Sequence, residues 1–200
     1  YGGLEIGTSS TALQALTDAV LYLTSHRYDS SEERSSRILA VAALRDVLGA
    51  FAAEGLPSAG ELETAVSRDL ATLQAMQNGD GGFPVWERGR ESIPFYAIHV
   101  AHALTMAQQK GYAVPSEMQG SVQAYLRDIE THYPPYYSQE VRWGLSAYAL
   151  YVRDLAGDKD TAKARRLLDE AGLEKLSLES LAWLWQVLGD DPATEPIQQH

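Results

Sequence analysis

Apolar residues return every three or four positions along nearly the whole chain, the repeat of a helix with one buried face. A first segment, about 10–25, aligns Leu13, Leu16, Val20 and Leu23. A second, about 31–54, aligns Ile38, Val41, Leu44, Leu48 and Phe51, and Gly55 stops it. A third opens at Ser58 with Glu61 three residues on, the spacing of a capping box, and carries Leu62, Val66, Leu70 and Leu73. A fourth, about 93–110, aligns Ala97, Val100, Leu104 and Ala107 and ends at Gly111. A fifth follows Pro115 with Ser116 as N-cap, lines up Met118, Val122, Tyr125 and Ile129, and is broken by Pro134-Pro135. A sixth, about 138–155, aligns Val141, Leu145, Tyr148, Val152 and Leu155. A seventh, about 159–171, and an eighth, about 177–188, are closed by Gly172 and Gly189.

Eight helices with short connections predict antiparallel neighbours. The fourth and sixth are apolar over more than half their circumference, with Phe95 and Ile98 in one and Trp143, Leu150 and Tyr151 in the other. Such helices belong inside a shell of others. The expected fold class is therefore all-α, antiparallel helical hairpins in two layers as in a solenoid or toroid. Of the two, an incomplete α/α toroid is expected, since eight helices make about four hairpins and a closed ring of this type has five or six. Residues 1–9, including the strand-like Leu4–Ile6, read as the remnant of a preceding domain, and 10–200 as one helical domain truncated at its C-terminus. The ends suggest a piece of a longer protein, since the chain opens Tyr1-Gly2-Gly3 and stops just after a new helix start. The missing helices would leave an apolar edge near 177–188, including parts of Trp183, Leu184 and Trp185.

Composition narrows the chemistry. The chain has 200 residues, no cysteine, and a net charge of −11. Without cysteine there is no disulfide, no thiol nucleophile and no cysteine-ligated metal. The negative charge opposes binding to nucleic acid and to anionic lipid. No apolar run reaches the ~18 residues of a membrane span.

The glycine-rich run Gln77-Asn78-Gly79-Asp80-Gly81-Gly82-Phe83-Pro84-Val85-Trp86 lacks the preceding strand and the following Lys-Ser/Thr of a phosphate loop. Its better reading is structural. Glycines supply positive-φ turns, Asp80 bonds nearby backbone N–H groups, and Phe83 and Trp86 plug the end of the helical layer. His99 and His102 lie three apart on the fourth helix, without the third ligand a metal needs, and read as packed or hydrogen-bonded histidines. Glu32 and Glu33, Glu61 and Glu63, and Asp158 and Asp160 read as acidic first turns of helices. No metal and no cofactor is expected. At the second helix, Asp29 or Ser30 reads as N-cap.

The Gln…Asp-Gly-Gly-Phe…Trp string resembles the repeat turn of α/α-toroid proteins. Positions 10–50 resemble the start of the thioester domain of bacterial alpha-2-macroglobulins, whose loop reads Tyr-Gly-Cys-x-Glu-Gln followed by Ser-Arg. In a gapless match Tyr28 is the tyrosine, Asp29 takes the glycine's place and Ser30 the cysteine's. Glu32 then takes the glutamate's place and Glu33 the glutamine's. Ser36-Arg37 and 39–48 continue the match, and the turn Asp80, Gly81, Gly82, Phe83 and Trp86 is its second anchor.

A thioester needs a thiol and a carboxamide, and Ser30 and Glu33 supply neither. The resemblance therefore implies a non-enzymatic domain of a cell-envelope protein, periplasmic or extracellular, that traps or senses proteinases without thioester chemistry. Its implied partners are the other domains of the same polypeptide and proteinases. The competing expectations are an α/α-toroid enzyme, terpene cyclase-like or carbohydrate-active, and a helical scaffold.

Overall fold

In a computed structural model the structure describes residues 29–50, 58–195 and 197. Within them are seven α-helices and no strand: α1 (Ser31–Ala50), α2 (Ala59–Met76), α3 (Pro94–Gln109), α4 (Ser116–Arg127), α5 (Gln139–Leu155), α6 (Thr161–Ala171) and α7 (Leu178–Leu188). The expected first helix, the Leu4–Ile6 strand and Tyr28 lie outside the described residues.

The helix starts follow local chemistry. Ser58 and Glu61 form the expected capping box on α2. Ser138, Asp160 and Ser177 cap α5, α6 and α7 through their side chains, each accepting from a backbone N–H in the first turn. Two expectations shift. Pro115, not Ser116, is the N-cap of α4, which therefore starts without a side-chain cap bond. That helix also ends at Arg127, before the two prolines, and passes into a short 3₁₀ turn, Ile129–His132, that carries Ile129 into the core. Asp158 lies ahead of α6 rather than in its first turn. Its carboxylate bonds Arg153 at 3.0 Å and Arg127 at 2.8 Å, closing the α5–α6 corner. These guanidinium groups hold the Asp158 carboxyl below its usual range, the Arg153 hydrogen bond contributing most.

The topology is that of an α/α toroid. Helices α1, α3, α5 and α7 pack side by side in chain order, while α2, α4 and α6 lie outside them. Each outer helix reverses the chain, so the four inner helices run parallel and start at one end. The wide apolar girth of α3 follows from its place: α1, α4 and α5 all pack on it, and Ala97, Ile98, Val100, Ala101, Ala103 and Leu104 are fully buried. A first core joins α1 to α5 around Phe83 and Leu104, and a second joins α5, α6 and α7 around Leu150 and Leu184. Tyr151 and Trp183 pack against both.

The apolar edge on α7 is narrower than the sequence implies. Leu184 is 0% exposed, seated in the second core, and Trp183 is half-buried with its ring stacked on Tyr148 at 4.5 Å. The large apolar side chains that remain open are the outward ones, Leu178 at 78% and Trp185 at 47% exposed.

Candidate functional site

The site lies where the inner helices begin. Ser30 precedes α1 and caps it. Its Oγ accepts from the Glu33 backbone N–H at 3.1 Å, while the Glu33 carboxylate accepts from the Ser30 N–H at 3.1 Å and the Ser30 hydroxyl at 3.0 Å. Of the two N-cap readings, Ser30 holds and Asp29 does not. The backbone at this position dictates the outcome. Side chains at the N-cap and three residues on sit over the same unsatisfied amides, so a hydroxyl and a carboxylate placed there meet.

Asp29 is exposed and faces two arginines, Arg34 at 3.3 Å and Arg37 at 3.8 Å. Both arginines turn inward to Asp69 on α2. Arg37 grips it with Nε at 2.6 Å and Nη2 at 3.0 Å, and Arg34 adds Nη1 at 2.9 Å. Asp69 is 1% exposed, so this carboxylate is a buried anchor between α1 and α2. Its hydrogen bond to Asp69 raises the Arg37 guanidinium further above its ordinary pKa, against the opposing effect of burial. The sequence reading missed this cluster. The signal was present: Asp69 interrupts the stripe Leu62, Val66, Leu70 and Leu73, where a charge survives only with a partner.

The glycine-rich turn comes against the same helix start. Ser31 donates its backbone N–H to the Val85 carbonyl at 2.8 Å and its hydroxyl to the Pro84 carbonyl at 2.6 Å. The two sequence anchors, far apart in the chain, are thus one structural unit. Within the turn Asp80 accepts from the Gly82 N–H at 2.9 Å, as expected, and from the Ser92 hydroxyl at 3.0 Å. Gly81 takes a φ of +87°, and a side chain there would run into the Ser121 backbone. At Gly82 an added Cβ would lie 2.7 Å from both Ser92 and the Tyr125 ring. Phe83 is the plug foreseen for it, fully buried. Trp86 is not: it is 68% exposed, because the chain turns outward after Val85 has bonded Ser31.

On the inward side of α1, Glu32 and Ser36 approach α3. Ser36 Oγ donates to Glu32 Oε1 at 3.0 Å and lies 2.9 Å from His99 Nε2. Nδ1 of His99 and Nδ1 of His102 both meet the Tyr148 hydroxyl on α5, at 3.2 and 2.9 Å. Phe95 stacks on His99 at 5.6 Å. Burial lowers the pKa of both histidines. His102 is pushed down to about 4 by burial and then by the neighbouring His99, while the Glu32 charge opposes the effect at His99. Burial also raises the Tyr148 hydroxyl. The histidines are hydrogen-bonded residues, as read from the sequence. Among the described residues no three metal-ligating side chains converge.

No family model matches the chain. A curated relative, Circularly permutated Ras protein 2 of Dictyostelium discoideum, is 24% identical over 96% of this chain. The fold has well-covered counterparts. A crystal structure of Salmonella alpha-2-macroglobulin reacted with methylamine superposes with a TM-score of 0.74 over 92% of the chain, at 22% identity. Trypsin-activated alpha-2-macroglobulin of Escherichia coli superposes with a TM-score of 0.70 over 86%, at 20% identity. The chain spans 5% of the Dictyostelium protein and 12% of each of these two structures. At these identities the likeness shows the fold, which is that of the helical domain of bacterial alpha-2-macroglobulins.

Proposed function

We propose that the chain is the thioester-type helical domain of a bacterial alpha-2-macroglobulin-like envelope protein. It serves proteinase trapping or inhibition by conformational means, without acyl chemistry. In this reading residues 1–9 belong to a preceding domain, and 10–200 are the helical domain. The domain is not itself an enzyme. Its partners are the other domains of its polypeptide and the proteinase, and its location is the periplasm or the cell exterior. No helix among the described residues is long and apolar enough to cross a membrane.

The observation that carries the reading is the pair Ser30 and Glu33. In the likeness seen in the sequence they stand where a cysteine and a glutamine are joined by a thioester. Here hydrogen bonds of 3.0–3.1 Å hold the same two positions. Thioester formation joins a thiol to a carboxamide and releases ammonia. A hydroxyl and a carboxylate would have to lose water instead, and the resulting oxygen ester is a poorer acyl donor. The capping box keeps the start of α1 in place without a covalent bond. The solved counterparts include a methylamine-reacted and a trypsin-activated protein, which supports a proteinase-responsive family.

The test is made on the full-length parent protein, incubated with a cleaving proteinase and run on a denaturing gel. The expected result is cleavage and a change of shape with no covalent adduct. A band of proteinase joined to fragment, lost on replacing Ser30 or Glu33, overturns the reading. The intact mass of this chain should equal that of the unmodified sequence and stay unchanged with methylamine. A loss of one water localised to the Ser30–Glu33 peptide would also overturn it.

A further inference from the structure

The side chains linking α1, α3 and α5 have a direction that can be deduced from their chemistry. A carboxylate only accepts, so the single proton of Ser36 goes to Glu32, 3.0 Å away. The 2.9 Å contact between Ser36 and His99 must then have His99 Nε2 as donor. A neutral imidazole carries one N–H, which leaves His99 Nδ1 as acceptor and makes the Tyr148 hydroxyl its donor at 3.2 Å. With its proton committed, the Tyr148 oxygen accepts from His102 Nδ1–H at 2.9 Å. His102 therefore ends the chain with an unprotonated Nε2, which makes no hydrogen bond among the described residues.

We infer that Glu32, Ser36, His99, Tyr148 and His102 form a proton relay with two directions. The relay ties the charge of the first turn of α1 to the tautomer of His102. In the transfer a proton binds His102 Nε2, and the Nδ1 proton passes to the Tyr148 oxygen. The Tyr148 proton passes to His99 Nδ1, the His99 Nε2 proton to Ser36, and the Ser36 proton to Glu32. One proton enters and one carboxylate is neutralised. No ring is left charged, and every link survives with its donor and acceptor exchanged.

Both end states keep the imidazoles neutral, the form their partial burial favours. The groups facing the two rings are Glu32 and Ser36 from α1, Phe95 of α3, and Tyr148 and Tyr151 from α5. Trp183 of α7 stacks behind Tyr148. Glu32 is the carboxylate of that set, the one group there whose protonation removes a charge instead of creating one, so the relay delivers the proton to it. Because Glu33 of the Ser30 cap is the next residue, the relay ends inside the candidate loop. The inference rests on this geometry and not on the family reading.

The experiment is a pH titration of the isotope-labelled full chain by NMR. Long-range proton–nitrogen correlations read both tautomers, and the side-chain carboxyl carbon reads Glu32. Near neutral pH, His99 should be the Nε2–H tautomer and His102 the rarer Nδ1–H tautomer. As Glu32 titrates, both should reverse with its midpoint, each nitrogen exchanging its pyridine-type shift for a pyrrole-type one. Ser36→Ala should leave Glu32 titrating with no response from His102. His102 found as Nε2–H near neutral pH would overturn the relay. So would tautomers that stay constant while Glu32 titrates, or rings that become cationic first. The wild-type titration decides the matter alone, and Ser36→Ala tests whether the coupling runs through that hydroxyl.

Discussion

Ser30 and Glu33 satisfy one another and two backbone amides, so their replacements should have unequal effects. Ser30→Ala removes the cap and should cost about 1 kcal/mol in denaturant unfolding. Glu33→Gln keeps an acceptor at the third helical position and should cost less, since the capping box takes either residue. Asp69 is a heavier dependence. Its carboxylate is buried between Arg34 and Arg37, and truncating it removes their buried counter-charge and leaves the exposed Asp29 as the carboxylate facing both. Asp69→Ala should therefore lower unfolding free energy by about 3–5 kcal/mol. A loss near that of a surface substitution would show that water replaces the carboxylate. Among these residues the caps are legible in sequence, because a serine with a glutamate three positions on is a local pattern. The partner of Asp69 is not legible, because it sits 32 and 35 positions away on another helix.

The turn between α2 and α3 can be tested as a unit. Gly81 and Gly79 are two residues apart and equally glycine, yet their surroundings differ. Gly79 has open space where a Cβ would go, whereas Gly81 has a φ of +87° and the Ser121 backbone against it. Gly81→Ala should destabilise by more than ~1 kcal/mol, and Gly79→Ala by little, in the same unfolding assay. Equal effects would mean that the turn refolds around the new side chain. Helix α3 behaves differently, because it is held from three sides. Leu104 is fully buried there, and Leu104→Ala should cost about 2–5 kcal/mol.

The four parallel inner helices bring α1, α3 and α5 together around neutral histidines, and this gives the whole molecule a pH response. His102 has its pKa depressed to about 4 in the fold, against an ordinary 6.5. Between those values the unfolded chain holds more protons at this position than the folded one. The contribution of His102 is therefore complete above 6.5 and is lost as pH falls toward about 4. Unfolding midpoints followed across that window should fall more steeply for wild type than for His102→Gln. Parallel curves would show that the ring is not desolvated.

Period, caps and stops are local properties, so the all-α class, the start of α2, the limits of α3, α5, α6 and α7, and the hairpin layers can be read from the chain alone. The pairing of Ser30 with Glu33 is equally local, since one helical turn joins them. Other features belong to the packing of helix on helix. Ser31 meets Pro84 across 53 positions, and Ser36 meets His99 across 63. The direction in which Trp86 leaves the turn and the burial of Leu184 belong to the same class. No periodicity encodes them, because each depends on the distance and rotation between two helices. Those are set by how the side chains of α1, α3, α5 and α7 interlock.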